Sequence, residues 1–139
     1  MKTIITTIIL LTFSLSSIAQ INAGDKVFLQ FQDTEGEVNV DGTDACEMLG
    51  SYVEGKTSLL LVDSAKKSDY TFVLYVIEKN MGDRKGKIDV IDSKSGEIIF
   101  ESKWKRGTMN ALYGYSGSRH AIGRVLKGQV LKEFKQIKK

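Results

Sequence analysis

The sequence predicts an α+β fold: a mixed sheet, made of a βαβ unit followed by an antiparallel three-strand meander, with two helices packed on one face. Three observations carry this. An alternating segment, Val27 to Gln32, is separated from the apolar run Leu59 to Val62 by a block whose apolar residues recur at helical spacing. Tyr70 to Ile77 is nearly all aromatic and β-branched, the composition of a strand packed on both sides. From Ser118 onward, Ile122, Leu126, Val130, Phe134 and Ile137 form a single stripe.

Taken in order, Met1 to Thr3 supply a short positive start and Ile4 to Leu15 an apolar run, followed by the small residues Ser17 and Ala19. That is the layout of a secretory signal, cut after Ala19 to leave one domain over 20–139 that is periplasmic or secreted. The run is shorter than the roughly 20 apolar residues that span a hydrocarbon core, which argues against a retained anchor. Removing it takes away Lys2 and lowers the formal net charge of +3 by one. Such a balance gives no general attraction to nucleic acid.

Val27, Leu29 and Phe31 alternate with polar partners as a first strand. A turn over Asp33 to Gly36 leads to a short extended piece, Glu37 to Val40. Thr43 and Asp44 are the expected helix caps, with Glu47 completing a capping box, and Gly55 the expected stop. Leu59 to Val62 reads as a strand covered on both faces, parallel to the first. Tyr70 to Ile77 is the central strand. After a charged turn over Asn80 to Gly86, Lys87 to Asp92 alternates, Ser93 to Gly96 suits a type I turn closed by a left-handed glycine, and the return strand places Ile98, Phe100, Ser102 and Trp104 on one buried face. No proline interrupts the chain, and no internal repeat is present.

Cys46 is the sole cysteine and His120 the sole histidine. Together they exclude an intramolecular disulfide and disfavour a structural zinc site, so the fold rests on its core and no cofactor is expected. Glu37, Asn39, Asp41 and Gly42 approximate the start of a calcium loop, but Met48 stands where the bidentate glutamate belongs. Gly114-Tyr115-Ser116-Gly117-Ser118 invites comparison with a nucleophile elbow. Its fifth position is Ser, and a helix cap by Ser116 or Ser118 is the commoner use of such residues. The same loop, with Arg119, could attract an anion. Trp104 among Lys103, Lys105 and Arg106 could stack on a sugar, although its alternation with Ile98 and Phe100 places it in the core. Arg119, Arg124, Lys127, Lys132, Lys135 and Lys138 give the last helix a basic face suited to solvent or to anionic lipid.

The run Lys26 to Phe31, the helix, Leu59 to Asp63, Ser68-Asp69-Tyr70, Ile88 to Asp92 and Ser95-Gly96-Glu97-Ile98-Ile99-Phe100-Glu101-Ser102 occur in a familiar order. This arrangement resembles the envelope domain shared by the N-terminal part of the Tol-system propeller protein, the curli-secretion lipoprotein and the lipoprotein activators of penicillin-binding proteins. Ser68-Asp69-Tyr70 is similar to that family's Ala-Asp-Tyr before a central strand, and Asp92 to Ser102 to its turn and following apolar strand. The resemblance implies a non-enzymatic module that binds other envelope proteins. No lipid-attachment cysteine follows the signal, and the segments that build a secretion pore have no counterpart here.

The expectation for function is therefore an exported accessory module acting through protein contacts. The alternatives are a small hydrolase using Ser116 or Ser118 with His120, and a carrier of a small apolar or glycan ligand. The residues singled out for contact are Tyr113, Tyr115, Ser116, Ser118, Arg119 and His120, together with the edge of the sheet. Intact-mass analysis of protein exported from cells is expected to show Gln20 as its first residue. An unprocessed Met1 on protein recovered from cytosol would refute the export reading.

Overall fold

The computed structural model describes residues 20–109 and 116–139; the predicted signal, Tyr113 and Tyr115 lie outside them. Strands β1 (Lys26–Phe31), β2 (Leu60–Leu61), β3 (Tyr70–Glu78), β4 (Arg84–Asp92), β5 (Ile98–Glu101) and β6 (Lys105–Gly107) form one mixed sheet in the order β2-β1-β3-β4-β5, with β6 pairing on β4 beyond β5. β1 runs parallel to β2, and β3, β4 and β5 are antiparallel, as the sequence predicts; β1 also pairs in parallel with β3. The apolar β3 is central, pairing along its full length with β4.

Residues paired across strands share a face. Val27, Phe72, Leu74, Val76, Ile88 and Val90 point to one side, where Ala45, Leu49 and Val53 of helix α1 (Gly42–Lys56) meet Ile122, Val125, Leu126 and Val130 of the C-terminal helical run. All are buried. Each large side chain removed from water there contributes about 1.5–3 kcal/mol.

Helix α1 begins earlier than the sequence suggests. Asp41, not Thr43 or Asp44, is the cap: its Oδ1 accepts from the Asp44 N–H at 3.0 Å, leaving Asp44 in the first turn where negative charge suits the helix dipole. Nor does Gly55 stop it. The helix ends at Thr57, whose Oγ1 donates to the Val53 carbonyl at 2.6 Å.

The expected piece Glu37 to Val40 is extended and joins β3, with Val40 N–H donating to Val76 and Glu78 N–H to Val38. β2 is a correction. It has two residues, forms the edge of the sheet, and leaves Leu60 54% exposed. An apolar run cannot by itself distinguish an edge from a covered centre.

The return strand departs from its predicted alternation for a local reason. Phe100 pairs with Val90 and Ile98 with Ile91, so Ile99 is an extra residue, and the bulge sends Ile98 and Phe100 to opposite faces. Trp104, expected in the core, lies 37% exposed on the face away from the helices. The β4–β5 turn is as predicted. Gly96 adopts φ 75°, and Asp92 Oδ1 accepts from Lys94 N–H at 2.9 Å and Ser95 N–H at 3.1 Å. These two bonds hold the Asp92 carboxyl below the usual carboxylate range.

The C-terminal run is α-helical over Gly117–Val125 (α2), becomes a π-helix over Leu126–Val130, and returns to α-helix over Leu131–Glu133 (α3). Its stripe explains the change. Ile122, Leu126, Val130 and Phe134 recur every four residues, more than the 3.6 of an α-helix, so a regular helix would rotate the later ones off the sheet. The wider π turn keeps all of them buried. Gly128, within that turn, approaches nothing.

β6 meets α2 backbone to backbone. A Cβ on Gly107 would stand 2.1 Å from the Gly117 carbonyl oxygen and 2.3 Å from the Ala121 nitrogen, and neither can yield as a side chain can. Gly107→Ala is expected to destabilise the protein by more than about 3 kcal/mol in urea unfolding. Asp92→Ala is expected to cost about 1 kcal/mol. Because the folded-state pKa of Asp92 is depressed, its contribution is present above the ordinary aspartate pKa and lost as pH falls through the folded value. The difference between wild type and Asp92→Ala is thus expected to shrink in acid.

Candidate interaction surface

The residues singled out around the last loop serve largely to start and fasten α2. Ser116 is its cap, Oγ accepting from Arg119 N–H at 3.0 Å, and lies 3.9 Å from the Met48 sulfur. Ser118 is buried in the first turn. Arg119 is exposed, while its carbonyl accepts from the Tyr52 hydroxyl at 3.2 Å. His120 accepts from Thr108 N–H through Nδ1 at 3.1 Å. His120 N–H donates to the Ser116 carbonyl at 3.1 Å as part of the helix, and among the described residues no hydrogen bond joins its ring to either serine hydroxyl.

That histidine belongs to a set the sequence does not reveal. Gln129 accepts from Lys103 N–H at 2.8 Å and donates to the Lys103 carbonyl at 3.0 Å, completing a strand-like pair with its amide. Arg124 donates to the Arg106 carbonyl at 2.8 Å. Gln129, Arg124 and His120 therefore occupy outward backbone groups of residues 103–108, where an edge would otherwise be open. Their spacing of four and then five residues is the signature of the same π turn.

β5 carries no such cover. Ser102 N–H donates to the Ile88 carbonyl, so ladder alternation turns the backbone of Glu101 away from β4. No side chain among the described residues bonds it. Ile98, 55% exposed, lies on this free strand.

The sheet face away from the helices holds a second cluster that sequence reasoning assigned elsewhere. Tyr75 and Trp104 pack edge to face with centroids 6.1 Å apart, and Lys87 Nζ lies 5.2 Å from the Tyr75 centroid. Lys87 pairs with Glu101 at 2.6 Å and with Asp89 Oδ1 at 3.3 Å. The Asp89 contact is within ion-pair range but out of hydrogen-bond alignment, so Oδ1 has no hydrogen-bond partner although Asp89 is only 4% exposed. Burial, with the nearby Asp89 charge, pushes the Tyr75 hydroxyl up. Burial opposes the charge on Lys87, but its two carboxylate partners outweigh it and raise the ammonium pKa.

On the helix side, Leu29, Phe31 and Leu61 are left partly uncovered beside α1 and line an open groove of about 680 Å³ with Cys46 and Gly50. Burial pushes the Cys46 thiol up, away from the reactive thiolate. The residues of the suspected calcium loop are otherwise engaged: Asn39 bonds the Thr34 and Glu37 backbone and Asp41 caps α1. No cluster of three or more metal-ligating side chains occurs among the described residues. No helix among them is long and apolar enough to cross a membrane. On the basic face, Arg124 is bonded to the chain and Lys127 lies 5.3 Å from the Tyr52 ring centroid, while Lys132, Lys135 and Lys138 are exposed.

No protein-family model and no curated protein matches the sequence. Solved structures do. The PelC dodecamer from Paraburkholderia phytofirmans, in two crystal forms, is similar at TM-score 0.55, with 14% and 15% identity over 77% of this chain and 88% of that one. The LpoB C-terminal domain from Salmonella enterica is aligned over 64% of this chain and 86% of its own, at 12% identity and TM-score 0.48. At these identities the PelC likeness is one of fold. The chain has the mixed-sheet α+β fold that its sequence predicts, and it shares that fold with PelC.

Proposed function

We propose that the chain is an exported accessory module of the cell envelope, one domain from Gln20 onward, that acts through protein contacts by receiving an extended partner segment on β5. The observation that supports this reading is the contrast along one side of the sheet. Backbone at residues 103–108 is occupied by His120, Arg124 and Gln129, whereas Glu101 in β5 keeps an outward N–H and carbonyl. Strand addition draws affinity from such main-chain groups and specificity from alternate side chains, here the exposed Ile98 and its neighbours. The fold is compatible with this role, since it is met in envelope proteins.

Crosslinking pull-down from envelope extract is the test, with Glu101→Pro as the discriminating variant. Proline removes the outward N–H without breaking a ladder bond to β4, and edge strands tolerate it. A reproducible partner of the wild type is expected to be lost at least about tenfold with Glu101→Pro and retained with Glu101→Ala. Equal capture by both variants, or no reproducible partner, would remove the reading. Sedimentation of the purified chain separates a foreign partner from a second copy, an arrangement for which the PelC dodecamers give precedent.

A further inference from the structure

The C-terminal helical run concentrates positive charge that neither the fold nor the β5 edge uses. Residues 117–139 hold seven Lys and Arg against the single Glu133, a formal +6 where the whole chain is +3, so the remainder is net acidic. Folding adds to this concentration. Lys139 N–H donates to the Lys56 carbonyl at 3.0 Å and Lys138 bridges Thr57, which sets the last turn of α1 beside residues 138 and 139. Lys135 and Lys138 are separated by one 3₁₀ turn, in which residues three apart point the same way. Lys127 and Lys132 stand on the exposed side of the run, with Leu126, Val130 and Leu131 buried on the other. Lys56, Lys127, Lys132, Lys135, Lys138 and Lys139 are all exposed, and among the described residues none of them meets a carboxylate within ion-pair distance. Elsewhere Lys67, Lys79, Arg84, Lys87 and Arg106 are paired. The partners these six do have are neutral: Lys127 lies over the Tyr52 ring, and Lys139 Nζ donates to the Glu54 carbonyl.

We propose that these six lysines form a docking surface for an anionic lipid bilayer. Unpaired charge of one sign selects a polyanion, and the residue type selects among polyanions. Lysine is a hydrated point charge on a flexible stem, whereas arginine supplies the planar fork that recognises a partner of fixed shape. Protein interfaces are depleted in Lys and built around aromatic and Arg anchors. Here Arg124 is held at the Arg106 carbonyl on the strand side, and no large apolar side chain is exposed among the six lysines. The contact is therefore electrostatic and without a shaped anchor. A fluid array of phosphate headgroups suits it, because lipids move laterally to meet each ammonium. Each lysine near an anionic leaflet strengthens binding about fivefold at low salt, and the acidic Glu54 and Glu133 nearby leave most of that charge in excess. Docked in this way, the helical layer faces lipid and the opposite face of the sheet points away from it.

Co-sedimentation of the exported full chain with vesicles is the test. Vesicles of equal parts phosphatidylglycerol and phosphatidylcholine are expected to bind it and pure phosphatidylcholine vesicles to leave it in solution, with binding lost as sodium chloride rises from about 0.05 M to about 0.5 M. Lys132→Glu combined with Lys135→Glu is expected to weaken binding at least about tenfold, and Lys132→Gln combined with Lys135→Gln to weaken it less. Lys66→Glu combined with Lys67→Glu changes the net charge equally but lies between β2 and β3, and it is expected to bind within about twofold of the wild type. Matching thermal midpoints would show that binding, not folding, was lost; should the Glu pair melt early, the Gln pair decides. No binding to the anionic vesicles, equal binding to the neutral ones, indifference to salt, an equal loss in the Lys66 and Lys67 pair, or tighter binding to polyglutamate than to vesicles of the same charge would each overturn the proposal. Glu101→Pro is expected to bind vesicles as the wild type does, so capture of a protein at β5 is judged separately.

Discussion

The close approach of β6 to the start of α2 at Gly107 fixes where the C-terminal helical run lies, and most of the molecule's surface chemistry follows from that placement. With no side chain between them, the two backbones come near enough for His120, Arg124 and Gln129 to reach the strand they flank. The same placement brings Ile122, Leu126 and Val130 over the centre of the sheet. Core and guarded edge are thus two products of one contact. The π turn reconciles them, because it lets apolar residues at four-residue spacing and polar residues at positions 120, 124 and 129 each hold a constant direction.

Much of this order can be read from the residues. β3 is identifiable by composition, the βαβ unit by its change of period, and the β4–β5 turn by Ser93 to Gly96, since these signals are local. What could not be read depends on partners distant in sequence. The cap of α1 is Asp41 because the preceding chain joins β3 through Val38 and Val40, which sets where the helix can begin. The bulge at Ile99 has no local marker, and neither has the second one-residue shift between the Asp89–Glu101 and Gly86–Lys105 pairs, without which Trp104 counts as a core residue. The end of the apolar run at β2 could not be told from a covered strand, because nothing in Leu59 to Val62 says that no strand lies beyond.

The candidate surfaces divide in the same way. Ser116 and His120 attract attention because their residue types carry chemistry elsewhere, yet here one caps a helix and the other occupies a strand N–H. The cluster of Tyr75, Lys87, Asp89 and Glu101 has no motif at all. It exists because β3, β4 and β5 are in register, so residues far apart in the chain become lateral neighbours. Alternation along β4 could have suggested that Lys87 and Asp89 share a face. Which aromatic they would meet there depended on pairing.

Both ends of the described chain are fastened at one pole of the molecule. Tyr70 bonds the Gln20 carbonyl, Gln136 bonds that of Ile21, and Lys139 N–H reaches Lys56. The start of α2 and Gly107 sit by the opposite end of the nine-residue β4 and are therefore on the order of 27 Å distant. A reporter, tether or bead joined at either terminus would accordingly load the same pole, and mechanical or steric interference from it would spare the far tip.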